Sequence, residues 1–252
     1  IHHIDLVKGL FEPHNNFLIK NYGFNLDQVI SYADEIKNQV TNNLHKQFGV
    51  LFKIDKSRKD FCKYVDELDE TSKTEKEIFQ EFLSIEENKK IKNEIDSSKD
   101  LLEKNIFEIS PNIHLPIEFL NLLSSKFGDN SKFIEDGLGW PIYDSIIYER
   151  PIINYQDKYY CFVPQLIFRN LINILEKWII TIDEKYYENK YQKKKGEYLE
   201  KKSLEYIAAL LPNAEVYGKL YYTIEGDKGS KRFETDGLVI FDDNLFIIEA
   251  KS

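Results

Sequence analysis

Two runs near the end of this 252-residue chain, rich in β-branched and aromatic residues, read as extended strands, in which a period of two decides which side chains share a face. From Phe233 to Phe241, the residues Glu234, Asp236, Leu238 and Ile240 share one face. In Leu245-Phe-Ile-Ile-Glu-Ala-Lys251, the residues Leu245, Ile247, Glu249 and Lys251 share one face, and Phe246, Ile248 and Ala250 the other. Between the runs, Asp242-Asp243-Asn244 is a hairpin turn signal. A two-residue loop at Asp243-Asn244, or a four-residue one, pairs Ile240 with Ile247, Leu238 with Glu249 and Asp236 with Lys251. A three-residue loop reverses the parity and scatters the charged groups, unless a bulge restores it. The second run reads as an interior strand, apolar on both sides, that presents two charges at its terminus, where sheets commonly hold ligands.

The last sixty residues read as α-β-β-β: a helix from Gly196 to Leu211, a Pro212-Asn213 break, a strand from Glu215 to Ile224, a Gly-rich turn from Gly226 to Ser230, then the two runs above. The chain before them is different in kind. Leu26, Val29, Ile30, Ala33, Ile36, Val40, Leu44 and Phe48 recur at three- and four-residue steps and predict one long amphipathic helix. Ser72 and Glu75 fit a capping box for a second helix, and 86–104 reads as a charged helix or connector with a weak apolar stripe. Pro151 to Val163 predicts a β-hairpin turning at Gln156-Asp157, and Pro164 opens a helix through about Tyr187. The expected fold is α+β: a mainly helical accessory region at 1–147, a hairpin-plus-helix connector at 148–190, and a partial αβββ core at 191–252.

A hydrophobic content of 42% with 14% aromatics can close a core, and no apolar run approaches the roughly 20 residues of a membrane span. No secretory leader opens the chain, and Cys62 and Cys161 have neither disulfide-scaffold nor zinc spacing, so the cytoplasm is the expected compartment. The absence of Met and the ending at Ser252 directly after a strand-like run suggest a piece of a longer protein. A net charge of −9 argues against a protein that coats nucleic acid nonspecifically, so local charge or a metal must do that work. The six lysines of 190–202 read first as a solvated helix face and second as a phosphate patch. Five histidines share no spacing, and the Gly137 and Gly226 regions form no phosphate-binding fingerprint.

Glu-x-Lys occurs five times in the chain, at Glu35, Glu87, Glu188, Glu200 and Glu249; only the last stands at the end of an apolar strand. Two carboxylates converging in a half-buried place raise one another's pKa, and a divalent cation removes that cost. Their hard oxygens suit Mg²⁺ or Mn²⁺, which keep several waters and take further ligands from a substrate phosphate. A lysine beside them is no ligand, but it can position water or counter charge building on phosphorus. The plain structural reading of the same residues is an exposed hairpin with a Lys–carboxylate pair.

The stretch Phe233-Glu-Thr-Asp-Gly-Leu-Val-Ile-Phe…Leu-Phe-Ile-Ile-Glu-Ala-Lys251 resembles the PD-(D/E)xK nuclease superfamily over about the last sixty residues. The resemblance implies a restriction-endonuclease-like αβββαβ core, of which αβββ is visible. It implies Asp236 and Glu249 as metal ligands with the backbone carbonyl of Ala250, and Lys251 as the catalytic lysine. Thr235 stands where the family name has Pro. The family also supplies a glutamate from the preceding helix: Glu200, in line with Leu204, Ile207 and Leu211, is preferred to Glu197, and an ordinary helix-start glutamate is the plain alternative. The activity so implied is that of a Mg²⁺- or Mn²⁺-dependent nuclease acting on nucleic acid, DNA first, in bacterial defence or nucleic-acid processing. The N-terminal helical region is the expected site for a protein partner or further domains. The competing expectation is a catalytically inert nuclease-like interaction module.

Overall fold

The apolar steps that begin at Leu26 produce a single helix, Leu26–Asp66, 41 residues long, in a computed structural model that describes residues 2–68, 73–135, 140, 145–223 and 232–250. The chain is mixed α+β and packs as two compact units, one formed by 1–29 with 171–252, the other by 30–170. The helical stretch expected over 1–147 therefore contributes to both.

In the unit 30–170, Ala33, Ile36 and Val40 lie buried along one stripe of the long helix. Side chains beside that stripe satisfy the backbone of a strand. Gln39 donates to the Ser110 carbonyl at 3.0 Å and accepts from its N–H at 2.9 Å, and one turn on Asn43 donates to the Glu108 carbonyl at 3.1 Å. The sheet comprises β1 (Glu108–Ile109), β2 (Ser124–Ser125), β3 (Ile152–Tyr155) and β4 (Lys158–Tyr160), in the order β1-β4-β3-β2. The hairpin turns at Gln156-Asp157 as expected, with φ of 51° and 58°, the left-handed pair that a type I′ turn requires.

The capping box is formed by Thr74 and Glu77, two residues after the expected place: Thr74 Oγ1 accepts from the Glu77 N–H, and Glu77 Oε2 accepts from the Thr74 N–H at 2.8 Å. Thr74 has the extended backbone an N-cap needs, and the helix Glu75–Ser84 starts directly after it. Ser72 lies outside the described residues. The charged segment is helical as Glu86–Asp96 and Lys99–Glu103.

In the other unit, helices His2–Phe11 and Asn15–Tyr22 share a core with Leu171–Ile182. Phe11 stacks on Tyr191 with ring centroids 5.2 Å apart, and Tyr22 donates its hydroxyl proton to the Trp178 carbonyl at 2.8 Å. The helix expected from Pro164 to Tyr187 is broken into Gln165–Arg169, Leu171–Ile182 and Glu184–Tyr186. Asp183 causes the second break by turning extended and accepting from the Tyr186 N–H at 2.9 Å, which begins a new helix. A π-turn, Tyr187–Tyr191, leads into the helix Gln192–Leu210. Its lysines mostly lie on a solvated face and pair with glutamates, as Lys194 does with Glu197 at 2.7 Å and Lys202 with Glu205 at 2.6 Å. No helix among the described residues is long and apolar enough to cross a membrane.

Five short strands complete this unit: β5 (Glu215–Tyr217), β6 (Leu220–Thr223), β7 (Arg232–Thr235), β8 (Gly237–Phe241) and β9 (Asn244–Ile248). They form a sheet β5-β8-β9 and a ribbon β6-β7. The runs expected as single strands over 215–224 and 233–241 each break, at Gly218-Lys219 and at Asp236. The breaks face one another, because Tyr217 pairs with Leu238 on one side and Leu220 with Thr235 on the other. Gly218 is thus aligned with Gly237 and Lys219 with Asp236. The glycine allows a close approach: a Cβ at 237 would overlap Leu204 Cδ2 of the preceding helix, and that side chain would have to shift. Ile224 and the Gly-rich turn lie outside the described residues.

Candidate functional site

The turn between β8 and β9 is Asp242-Asp243, one residue earlier than Asp243-Asn244, and Asp242 takes a φ of 51° that a short acidic side chain tolerates. The register is Phe241 with Asn244, Ile240 with Leu245, Leu238 with Ile247 and Gly237 with Ile248. The pairing is displaced by two residues from the one expected, an even shift that keeps the parity of the two strands. Continued one step beyond the last pair, the register aligns Asp236 with Glu249, in place of Lys251. Lys251 itself lies outside the described residues.

Asp236 is half-buried at the bend, and its Oδ2 accepts from the Ala250 N–H at 2.7 Å. A charge-assisted bond of this length ties the end of β9 to the entrance of β8 and leaves the second carboxylate oxygen for another partner. Thr235, beside it, is buried and donates its hydroxyl proton to the Ile248 carbonyl at 3.2 Å. Thr235 therefore braces the same crossing, a role that its isolated letter in the sequence does not announce. Glu249 is exposed. β9, expected in the interior of a sheet, is at an edge among the described strands, with Leu245 60% and Ile247 66% exposed.

Glu200 lies one turn before Leu204, which packs on Gly237, so the helix presents it toward the strands as expected. Its partner there is Lys219, whose Nζ lies 2.9 Å from Glu200 Oε2 and 3.2 Å from Glu234 Oε1. The hydrogen bond to Glu200, then that to Glu234, raises the ammonium's pKa above the ordinary lysine value. Glu197 turns instead to Lys194. Lys219 was not legible as a site residue because the ordinary run Tyr217-Gly-Lys-Leu220 places it beside Asp236 only through the two-sided break in the ladder. Among the described residues, no group of three or more His, Cys, Asp or Glu side chains is placed to hold a metal ion.

Asp236, Glu249 and the Ala250 carbonyl, next to one another where β8 begins and β9 ends, offer only hard oxygens, and such oxygens prefer Mg²⁺ or Mn²⁺ to softer ions. His14 is only 2% exposed and belongs to the helical core: its Nδ1 lies 2.9 Å from the Tyr186 hydroxyl, while its Nε2 is buried with no partner among the described residues. Burial, with a smaller effect of Lys194, lowers its pKa to about 4. No protein-family model, no curated protein and no solved structure matches this chain.

Proposed function

We propose that the chain is a metal-dependent nuclease that hydrolyses phosphodiester bonds, in DNA first. The observation that carries this reading is the β8–β9 register, which continued one step past Gly237–Ile248 aligns Asp236 with Glu249, together with the brace that the Ala250 N–H gives Asp236. Asp236, Glu249 and the Ala250 carbonyl would hold the cation, which supplies Lewis-acid polarisation of the phosphate and a more acidic water. The chain's own contribution is positional. The Ala250 N–H fixes one Asp236 oxygen, and Thr235 holds the carbonyl of Ile248 beside it. Lys251, two residues after Glu249 in the sequence, takes the role of countering charge on phosphorus. Glu200 acts at one remove, through Lys219.

Cleavage of plasmid and linear DNA by the chain, with Mg²⁺, Mn²⁺ or EDTA, tests the reading. Nicking that needs the metal and is lost in Glu249→Ala supports it; metal-independent or undiminished cleavage overturns it. A second reading, an inert nuclease-like interaction module, is favoured by one observation: Lys219 already pairs with both Glu200 and Glu234 beside the candidate ligands. On that reading neither metal supports cleavage and Glu249→Ala changes nothing.

A further inference from the structure

The outward face of the sheet in the unit 30–170 is built from rings where an exposed face is ordinarily polar. The alternation is unambiguous. Ile109, Ile152, Tyr159 and Cys161 are buried on the inner face. Ile153 pairs with Tyr160, and Tyr155 with Lys158, on the outer one, and Phe162 continues it. Phe127 is 74% exposed, Phe162 49% and Tyr155 47%. With Asn105 they line an open cavity of about 450 Å³, a volume suited to one or two planar rings.

The rings hold each other in fixed orientations. Phe127 meets Tyr155 edge-on, with centroids 5.4 Å apart at 81°, and Phe107 leans on Phe162 at 5.0 Å. Polar groups are available among them. Asn105 Oδ1 is used by the Phe107 N–H at 2.9 Å, while its amide N–H₂ and the Tyr160 hydroxyl make no hydrogen bond among the described residues. Lysines lie nearby: Lys158 stands opposite Tyr155 in the ladder, on the face where Glu108 stands opposite Tyr160, and Lys104 and Lys126 adjoin Asn105 and Phe127 in sequence. Lys158 shares its ammonium with Glu108 at the long distance of 3.3 Å, and a phosphate can compete for it.

We infer that this face, Phe127, Tyr155, Tyr160 and Phe162 with Asn105, is a stacking platform for the unpaired bases of single-stranded nucleic acid. Base faces cover the rings, the Asn105 amide and Tyr160 hydroxyl reach base edges, and the nearby lysines meet the backbone. The choice of nucleobases over other planar ligands rests on the nuclease reading above. With a net charge of −9, stacking must dominate over phosphate contacts. The salt dependence is therefore shallow: about two neutralised phosphates give a log–log slope of about −1.4 for a single strand.

The test is equilibrium binding of fluorescent oligo-dT and oligo-U, with a mixed-sequence duplex as the third arm, to the full chain in EDTA. Phe127→Ala and Tyr155→Ala are expected to weaken single-strand binding by about 5–100-fold each, while circular dichroism stays that of the parent. Tyr155→Trp keeps a ring, retains binding, and its indole emission is quenched by the oligonucleotide. The preferred arm tells DNA from RNA. Binding confined to duplex, binding unchanged in both alanine variants with the indole unquenched, or no single-strand binding at all, each overturns the platform. Because the binding assay contains no metal, single-strand binding without cleavage in Mg²⁺ or Mn²⁺ would sink only the nuclease reading, and metal-dependent cleavage with single-strand binding untouched in both alanine variants only the platform.

Discussion

Replacing Asp236 separates what its two oxygens do. Oδ2 accepts from the Ala250 N–H at 2.7 Å at a half-buried bend. A hydrogen bond to a charged group contributes about 1.5–3 kcal/mol, and partial exposure puts this one near the lower end, about 1–1.5 kcal/mol. Asp236→Ala should lose that amount, seen as a lower midpoint in urea unfolding of the unit that carries β8 and β9. Asp236→Asn keeps a carbonyl oxygen for the Ala250 N–H and should lose only about 0.5 kcal/mol, since a neutral bond is weaker. As a metal ligand the amide is far poorer than the carboxylate. Calorimetric Mn²⁺ titration should therefore show at least about tenfold weaker binding in Asp236→Asn, with cleavage lost alongside it. An Asp236→Ala protein as stable as the parent would remove the brace. An Asp236→Asn protein that binds Mn²⁺ like the parent would remove Asp236 from the metal.

Glu249→Ala should leave urea stability within about 0.5 kcal/mol, because the residue is exposed, and still abolish metal-dependent cleavage; a matched loss of both would make the residue structural. Gly237→Ala should cost about 1–3 kcal/mol by overlap with Leu204, and Leu204→Ala in the same chain should recover part of it, as thermal melts of the three variants will show. His14 has a folded pKa of about 4 against about 6.5 unfolded, so the unfolded chain binds the extra proton first. Its contribution is complete above pH 6.5 and is lost as pH falls toward 4. The bound on that loss is about 3 kcal/mol, and relaxation around the cation, which faces Tyr186, Tyr191 and Lys194, should reduce it to about 1–2 kcal/mol. Urea midpoints at pH 7 and pH 4.5 should fall more in the parent than in His14→Phe, and parallel falls would discount the histidine.

Period alone determined the elements that are local in origin. The apolar steps from Leu26 specify a helix wherever the chain finds a partner, and Gln156-Asp157 between β-branched and aromatic runs specifies a hairpin, since backbone sterics act over neighbouring residues. The parity of β8 against β9 was also legible, because any two-residue shift of a strand preserves it. The partner across the ladder was not: Asp242-Asp243 and Asp243-Asn244 are both good turns, and pairing along the whole sheet chose between them. Nor could the sequence show that Lys219 would reach Glu200, or that Thr235 would brace Ile248. Those contacts depend on a break shared by two strands and on a helix pressed against Gly237, and such long-range coincidences exist only once the chain has closed on itself. The aromatic outer face of β3 and β4 is the same kind of result. Alternation divides residues into two faces, and only packing decides which face is buried.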